Sequence, residues 1–263
     1  MIGTMTLSSL ARQLDGELLG SDAAFQELST DTRSLAAGQA YLALVGEHFD
    51  GNDFVSQAEQ SGAVAAIVSR AGEVAIPQLR VSDTHAALAA IARENRLRSD
   101  ARVVALTGSQ GKTTVKEMLA AIFANSAPTL ATRANLNNTI GVPLTLLRLE
   151  SRHRYAVIEM GANRAGEIAF SVAAALPDVV LITGASAAHI EGFGSLQGIV
   201  TAKGEILDKL RGRGVAVLNA DDPHVDQWIT RAGDHHVVLF SYTNEGGRSS
   251  YYANKLVLAG DGK

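Results

Sequence analysis

Val103-Val104-Ala105-Leu106-Thr107-Gly108-Ser109-Gln110-Gly111-Lys112-Thr113-Thr114 is an apolar run that breaks into a glycine turn and then into a helical stretch. The run has no polar alternation, the pattern of a strand covered by helices on both faces. From Thr113 to Ala124, the residues Val115, Met118, Leu119, Ile122 and Phe123 form one apolar stripe at helical spacing. Strand, glycine turn and helix in that order offer backbone N–H groups and a helix N-terminus to phosphates. Lys112 would then reach the β- and γ-phosphates of a nucleotide, and the Thr113 hydroxyl would ligand Mg²⁺. The general phosphate-loop pattern wants a glycine five positions before Gly111, where this chain has Leu106, so the match to that pattern is partial.

Three more apolar runs follow, each ending in a polar, glycine-rich or acidic loop: YAVI before EMGAN, VVLI before TGASAAHIEG, and VAVL before NADDP. Alternation of such runs with helical stretches predicts a mostly parallel, P-loop-type sheet with helices on both faces. The chemical loops should gather at its carboxyl edge. Upstream, YLALV from Tyr41, a polar turn with His48, Asp50, Gly51 and Asn52, a helical stretch from Phe54 to Ser61, and the run Val64 to Val68 predict a small α/β unit. A helix around Thr84 to Arg98, with Ala87, Leu88, Ile91 and Ala92 at helical spacing, leads to a charged break at Arg98-Ser99-Asp100. The fold class is thus α/β, with an N-terminal domain over 1–98 and a central nucleotide-binding domain over 99–263.

Composition narrows the classes. The 263 residues are 46% hydrophobic and 19% charged, with 25 Gly and 5 Pro, which excludes a disordered or collagen-like chain. Lys and Arg number 23 against 27 Asp and Glu, a net charge of -4, so there is no overall positive field for nucleic acid or an anionic membrane. The absence of Cys excludes disulfides, thiolate zinc sites and cysteine nucleophiles. The start, MIGTMTLSSLARQLDG, lacks the basic n-region and apolar stretch of a signal peptide, and a cytoplasmic location is expected. The most membrane-like window, Ser171 to Ala188, is broken by Pro177-Asp178 and Gly184 and reads as a helix end followed by a short buried strand.

The departure at Leu106 has a parallel. TGSQGKTT resembles the ATP loop of the Mur ligases, the peptidoglycan amide ligases, whose loop has the form T-G-[ST]-x-G-K-[ST]. Thr132 to Thr145 (TRANLNNTIGVPLT) resembles that family's N-x-N-N-x-I-G-x-P-x-T segment, with Ala134 where Gly is more usual. IEMGAN from Ile158 with Gly166-Glu167-Ile168, and AHIEGFGS from Ala188, are similar to the subgroup that adds D-alanyl-D-alanine. Ala202-Lys203-Gly204-Glu205-Ile206 and Leu218-Asn219-Ala220-Asp221-Asp222-Pro223 continue the same order. Near the start, Ser29-Thr30-Asp31-Thr32-Arg33 and Gly46-Glu47-His48-Phe49-Asp50-Gly51 resemble the UDP-binding segments of ligases acting on UDP-muramoyl peptides.

The resemblance implies ATP at Thr107, Gly108, Ser109, Gln110, Gly111, Lys112, Thr113 and Thr114, with Asn219 at the nucleoside. By position alone, Asn219 could equally fix its loop, and Asp221-Asp222-Pro223 stays open between these roles and a helix start. Substrate would lie against Asp31, Thr32, Arg33, His48, Asp50, Gly51, Asn137 and Asn138. An Arg33 guanidinium suits a phosphate, while Asp31 and Thr32 also suit a surface turn. Glu159 follows an apolar strand next to the phosphate loop and offers a hard oxygen to Mg²⁺. His189, as a residue type, is a hydrogen-bonding loop histidine as readily as a ligand; the resemblance gives it a catalytic and metal-side role. Lys203 by spacing is a solvated lysine at the start of a helical stretch from Gly204 to Leu210. In the resembling ligases the matching lysine is carbamylated by CO₂, which makes it an anionic oxygen ligand beside Mg²⁺.

The implied reaction joins D-alanyl-D-alanine to a UDP-N-acetylmuramoyl tripeptide through an acyl phosphate, at the expense of ATP, in peptidoglycan precursor synthesis. Partners would be these small molecules, with the chain acting as a monomer. The family carries a third, carboxyl-terminal domain that closes over ATP, and no segment here resembles it; the tail YTNEGGRSSYYANKLVLAGDGK is polar and glycine-rich. The chain is therefore expected to be truncated, binding its ligands but turning over poorly. Competing readings are a non-catalytic nucleotide or UDP-sugar-binding module and the preceding Mur ligase step. A folate polyglutamate ligase is disfavoured because its loop usually runs G-K-G-S.

Overall fold

The structure, a computed structural model, describes residues 1–187, 190–242 and 247–253. In chain order the elements begin with β1 (Met5–Thr6), α1 (Leu7–Leu14), β2 (Glu17–Leu19), β3 (Ala24–Phe25), β4 (Leu28–Ser29), β5 (Ala40–Leu42), β6 (Val45–Gly46), β7 (Phe49–Asp50), α2 (Val55–Gln60), β8 (Ala65–Val68), β9 (Gln78–Arg80) and α3 (Thr84–Leu97). They continue as β10 (Arg102–Thr107), α4 (Lys112–Ala124), β11 (Thr129–Ala131), α5 (Gly141–Leu146), β12 (Tyr155–Glu159), α6 (Glu167–Ala175), β13 (Val179–Ile182), α7 (Ile190–Phe193), α8 (Leu196–Gly204), β14 (Val215–Asn219), α9 (Val225–Ala232), β15 (His236–Ser241) and β16 (Tyr251–Tyr252). They form two compact units, Met1–Ala101 with Thr139–His153, and Arg102–Asn138 with Arg154–Lys263.

In the first unit a five-stranded sheet runs β2-β9-β8-β5-β4, antiparallel only between β2 and β9. Ala40, Leu42 and all of β8 are buried, as strands without polar alternation must be. Tyr41, Val55, Ala58, Ala66 and Val68 pack as one cluster beneath α2. Helix α3 starts where Asp83 accepts from the N–H groups of His85 and Ala86, and it buries Ala87, Leu88, Ile91 and Ala92, the positions its spacing picked out. Because β4, β5 and β8 are parallel, the loops that follow them share one edge.

The second unit is a seven-stranded sheet in the order β11-β12-β10-β13-β14-β15-β16, parallel throughout. Strand β10 lies third in this order, between β12 and β13. Chain order leaves it to one side through β11 and β12 and to the other through β13, so a crevice opens at the carboxyl ends of the strands beside β10. The register aligns Leu106 with Glu159 and Thr107 with Ile182.

Four expectations change. Residues 139–153, assigned by sequence to the second domain, pack with the first unit: α5 lies against α3 with Val142 and Leu146 buried, and the buried Asn95 amide on α3 donates to the carbonyls of Leu146 and Leu149. The division falls between Ala101 and Arg102 rather than after residue 98. Helix α4 does not bury its whole apolar stripe: Met118 and Ile122 are each 60% exposed, and the fully buried side chain is Lys116, whose Nζ donates to the Thr132 carbonyl 3.0 Å away. The stripe at 115, 119 and 123 stays half-buried against the sheet, so the wider stripe faces both ways. Lys203 lies in the last turn of α8, since the helix runs into Gly204 and the following Glu205–Lys209 is a 3-10 turn.

Ala134 has φ +46, a left-handed conformation that costs a residue with a Cβ about 1 kcal/mol or more. That explains why glycine is more usual at this place. Replacing Ala134 by Gly should stabilise the chain by about 0.5–1 kcal/mol, raising the thermal midpoint by about 1–3 °C in calorimetry, since relief of strain outweighs the added freedom of the unfolded chain. A fall in the midpoint would contradict the left-handed assignment.

Candidate active site

Everything at the carboxyl edge of the central sheet starts from Gly108. It has φ +151, and a Cβ there would fall 1.8 Å from the Thr183 Oγ, so only glycine lets the loop pass. Gly111, at φ +76, then turns the chain into α4, whose first N–H groups have no side-chain cap. Uncapped N–H groups at a helix start, next to a lysine, form an anion-receiving arrangement. Lys112 folds back on its own loop, its Nζ donating to the Gly108 carbonyl at 2.7 Å. Half-burial holds its pKa below the ordinary lysine value, with the Glu159 carboxylate opposing.

Glu159 ends β12 and is 1% exposed. The Thr132 hydroxyl accepts from its backbone N–H at 2.9 Å, fixing the strand end. Its Oε1 accepts from the Thr113 hydroxyl at 3.2 Å and from the Asn137 amide at 2.8 Å, whereas its buried Oε2 has no hydrogen-bond partner among the described residues. An orphaned buried carboxylate oxygen beside an exposed threonine hydroxyl is the donor set of a hard cation. The residues therefore fit Mg²⁺. Among the described residues no group of three or more His, Asp or Glu could cage an ion.

A cavity of about 190 Å³ sits here, lined by Gly108, Ser109, Lys112, Asn137, Asn138, Gly161, Ala162, Asn163, Glu167, Phe193, Ile199 and Lys203. Gly161 lets the chain pass Asn137, whose side-chain atoms would lie 3.1 Å from a Cβ. Lys203 is 4% exposed, its Nζ 5.9 Å from the Phe193 ring centre. Burial lowers its pKa to about 8, helped by repulsion from Lys112 and opposed by Glu205. A lysine poised this way supplies neutral amine close to physiological pH.

Of the residues singled out in the sequence, Lys112, Asn137, Asn138 and Lys203 line one cavity, and Thr113 and Glu159 join it through the bonds of Glu159 to Thr113 and Asn137. His189 lies outside the described residues. Asn219 does not line the cavity: its Nδ2 donates to the Thr183 carbonyl and its Oδ1 accepts from the Asp221 N–H. Asp221 receives the Ser241 hydroxyl and the Tyr242 N–H. Thr183, whose hydroxyl donates to the Gln110 carbonyl at 2.7 Å, escaped the sequence reading, because a threonine after a strand carries no signal until its neighbours are known. Glu205 also went unread; its carboxylate accepts from the N–H groups of Gly166 and Ala169 and caps α6.

In the first unit, Asp31 and Arg33 form a bidentate pair, Nε and Nη2 to the carboxylate, which pulls Asp31 down to about 2. The Asp50 carboxylate accepts from Asn52 and Arg70. Gly51 permits close passage, since a Cβ would lie 2.6 Å from the Leu44 carbonyl oxygen. Tyr41 bonds to the Gly51 carbonyl and is pushed up to about 12, by burial first and then by the charges of Asp31 and Asp50. Both carboxylates therefore stand near one phenol. Thr32 lies in the turn between Asp31 and Arg33, and His48 is exposed between β6 and β7.

A central parallel sheet with a glycine phosphate loop, a loop lysine and a carboxylate on the adjacent strand defines a nucleotide-binding P-loop protein. The Mur ligase middle domain model matches residues 106–263, and the model of the Mur ligase family, catalytic domain, matches residues 24–110. The chain belongs to the Mur ligase family. It is 49% identical over 238 residues to the UDP-N-acetylmuramoyl-tripeptide--D-alanyl-D-alanine ligase of Escherichia coli (strain K12), a match covering 90% of this chain and 53% of that protein. It is 44% identical to the enzyme of the same name from Haemophilus influenzae, covering 88% and 52%. A crystal structure of MurF from Acinetobacter baumannii superposes with TM-score 0.89 at 37% identity, covering 97% of this chain and 56% of that one. MurF from Thermotoga maritima in complex with ADP gives 0.75 at 32% identity, covering 84% and 51%. The chain spans about half the length of the relatives it matches.

The lowered pKa of Lys203 has a measurable sign. Below about pH 8 both folded and unfolded chains hold the charged lysine, and the burial cost is fully present. Between about 8 and the ordinary value of 10.5 only the unfolded chain keeps the proton, so this group makes stability rise with pH. Lys203→Met should raise the thermal midpoint in degassed buffer at pH 7, and the gain over the parent should shrink from pH 8 to 10.5. A gain independent of pH would show that the lysine is not buried as a cation.

Proposed function

We propose that the chain carries the UDP-substrate and ATP sites of a ligase that joins D-alanyl-D-alanine to UDP-N-acetylmuramoyl tripeptide. The observation that carries this reading is the buried Glu159 oxygen without a partner among the described residues, on a carboxylate bonded to the Thr113 hydroxyl and to Asn137, beside a cavity lined by Asn137, Lys112 and Lys203. The relatives' names supply the substrate. ATP phosphates would lie on residues 107–114, with the nucleoside toward the Asn219 loop at the same edge. Thr113 and Glu159 would hold Mg²⁺, with His189 on the metal side. Bound there, Mg²⁺ neutralises charge on the transferring phosphoryl group.

The tripeptide carboxylate attacks the γ-phosphorus, ADP leaves, and an acyl phosphate forms. The dipeptide amine then attacks the acyl carbon, a proton is lost, and phosphate departs. Lys112 stabilises charge on the transferring group, and Asn137 and Asn138 orient the acceptor. Neutral Lys203 adds through Nζ to the carbon of CO₂ and releases a proton to solvent; the resulting carbamate offers oxygens toward the cavity. Asp31, Thr32, Arg33, His48, Asp50 and Gly51 would bind the uridine diphosphate end, where the Asp31 pair leaves the Nη1 side of Arg33 open. We place the protein in the cytoplasm, with the water-soluble nucleotide precursors it would act on.

Calorimetric titration with Mg-ADP, and with UDP-muramoyl peptides of different length, tests the two sites separately. Mg-ADP at a hundred times its Kd should stabilise the parent chain by about 2.7 kcal/mol. Lys112→Ala should abolish that shift while leaving the ligand-free midpoint unchanged. Arg33→Ala should weaken the UDP-peptide by about one to two decades and spare ADP. Bicarbonate should produce a trappable mass increase at Lys203 by mass spectrometry. Equal ADP stabilisation of Lys112→Ala and parent would contradict the nucleotide site, and equal UDP-peptide affinity in Arg33→Ala would contradict the uridine site.

A further inference from the structure

The loop after β13 grips the phosphate loop at several points. The Ser109 N–H donates to the Gly184 carbonyl at 2.9 Å, and the Thr183 hydroxyl donates to the Gln110 carbonyl. The Ser109 hydroxyl accepts from the Ser186 N–H at 2.9 Å and donates to the Ser186 carbonyl at 3.2 Å. This gripping loop is itself anchored from β14. Asp222, 7% exposed, accepts the Ala185 N–H on Oδ2 at 2.7 Å, while its Oδ1 accepts the His224 N–H at 2.8 Å. Gly184, at φ +149, makes the approach possible, since a Cβ there would sit 3.2 Å from Asp222 Oδ2. Asp222 neither lines the cavity nor reaches the phosphate loop.

We propose that Asp222 is a positioning residue for the nucleotide: by anchoring Ala185 it makes the 183–186 loop hold Ser109 and Gln110 in the phosphate-receiving arrangement. The proposal rests on the nucleotide reading of the cavity. A buried carboxylate accepting an amide N–H makes a charge-assisted bond, stronger than a neutral one. It therefore fixes Gly184 to Ser186 more firmly than the strand end alone. Asparagine keeps a single acceptor oxygen and must leave either Ala185 or His224 unbonded, whereas alanine loses both bonds. The competing role is local, a turn that starts the approach to α9 through His224.

Amide hydrogen exchange on the ligand-free chain separates the two roles. Asp222→Ala should speed exchange in residues 107–112 about tenfold, with Asp222→Asn intermediate. Faster exchange confined to residues 222–232, with 107–112 unchanged, would overturn the proposal. Titration with Mg-ADP adds a double-mutant cycle. Asp222→Ala should raise Kd about tenfold alone but by much less in a Ser109→Ala background, because both act through the same contacts. Additive effects would also overturn it. If the parent chain failed to bind Mg-ADP, the nucleotide reading would fall, while the exchange comparison would still decide whether Asp222 holds the loop.

Discussion

Parallel pairing of β10 with β12 on one side and β13 on the other sets the rest of the second unit, because it aligns Leu106 with Glu159 and Thr107 with Ile182. Three strands end level, and their loops must share one edge. The phosphate loop leaves β10 between the other two, Glu159 stands beside it on β12, and the Thr183 loop stands beside it on β13. A one-residue slip of β12 would turn Glu159 to the other face of the sheet and dismantle the site. The apolar cores of these strands, with Ala105, Leu106, Val157, Ile158, Val180 and Ile182 fully buried, hold that register.

On this frame the electrostatics are arranged around a missing charge. Glu159 keeps one oxygen bonded to Thr113 and Asn137 and leaves the other unpaired in a buried place. Lys112 and Lys203 are both depressed by burial, and Lys203 is depressed further by Lys112. Lys112 and Lys203 line one small cavity, and Glu159 lies beside it through its bond to Asn137. Anionic phosphates would pair with the two lysines, and a divalent cation with the carboxylate.

Much of this was legible because each buried strand announces itself as an unbroken apolar run and each chemical loop follows at once. The phosphate loop was legible in its Gly-Lys-Thr pattern after a strand, and Glu159 in its place at the end of a strand near that loop. The α4 stripe misled because apolar residues at helical spacing do not say how wide the covered face is; Met118 and Ile122 turn outward while Lys116 is buried by its bond to the Thr132 carbonyl. Residues 139–153 misled for another reason. Their place in the first unit comes from α5 packing on α3, with the Asn95 amide bonded to carbonyls about fifty residues away, tertiary contacts that no local pattern encodes. Thr183, Glu205 and Asp222 belong to the same class, polar residues whose roles consist of partners distant in sequence. Asn219 and the two aspartates after it were left open between ligand contact and loop fixing, and their side chains are engaged in fixing loops.

The central claim is that the free Glu159 oxygen and the Thr113 hydroxyl hold a divalent cation together with nucleotide phosphates. Electron paramagnetic resonance of Mn²⁺, used in place of Mg²⁺, tests it in a titration of the parent chain and of Glu159→Gln with and without ADP. The account predicts tight Mn²⁺ binding by the parent only when ADP is present, and a loss of about tenfold or more in Glu159→Gln, whose ligand-free thermal midpoint should not fall because a buried charge has been removed. Equal ADP-dependent Mn²⁺ binding by the parent and by a folded Glu159→Gln would contradict it.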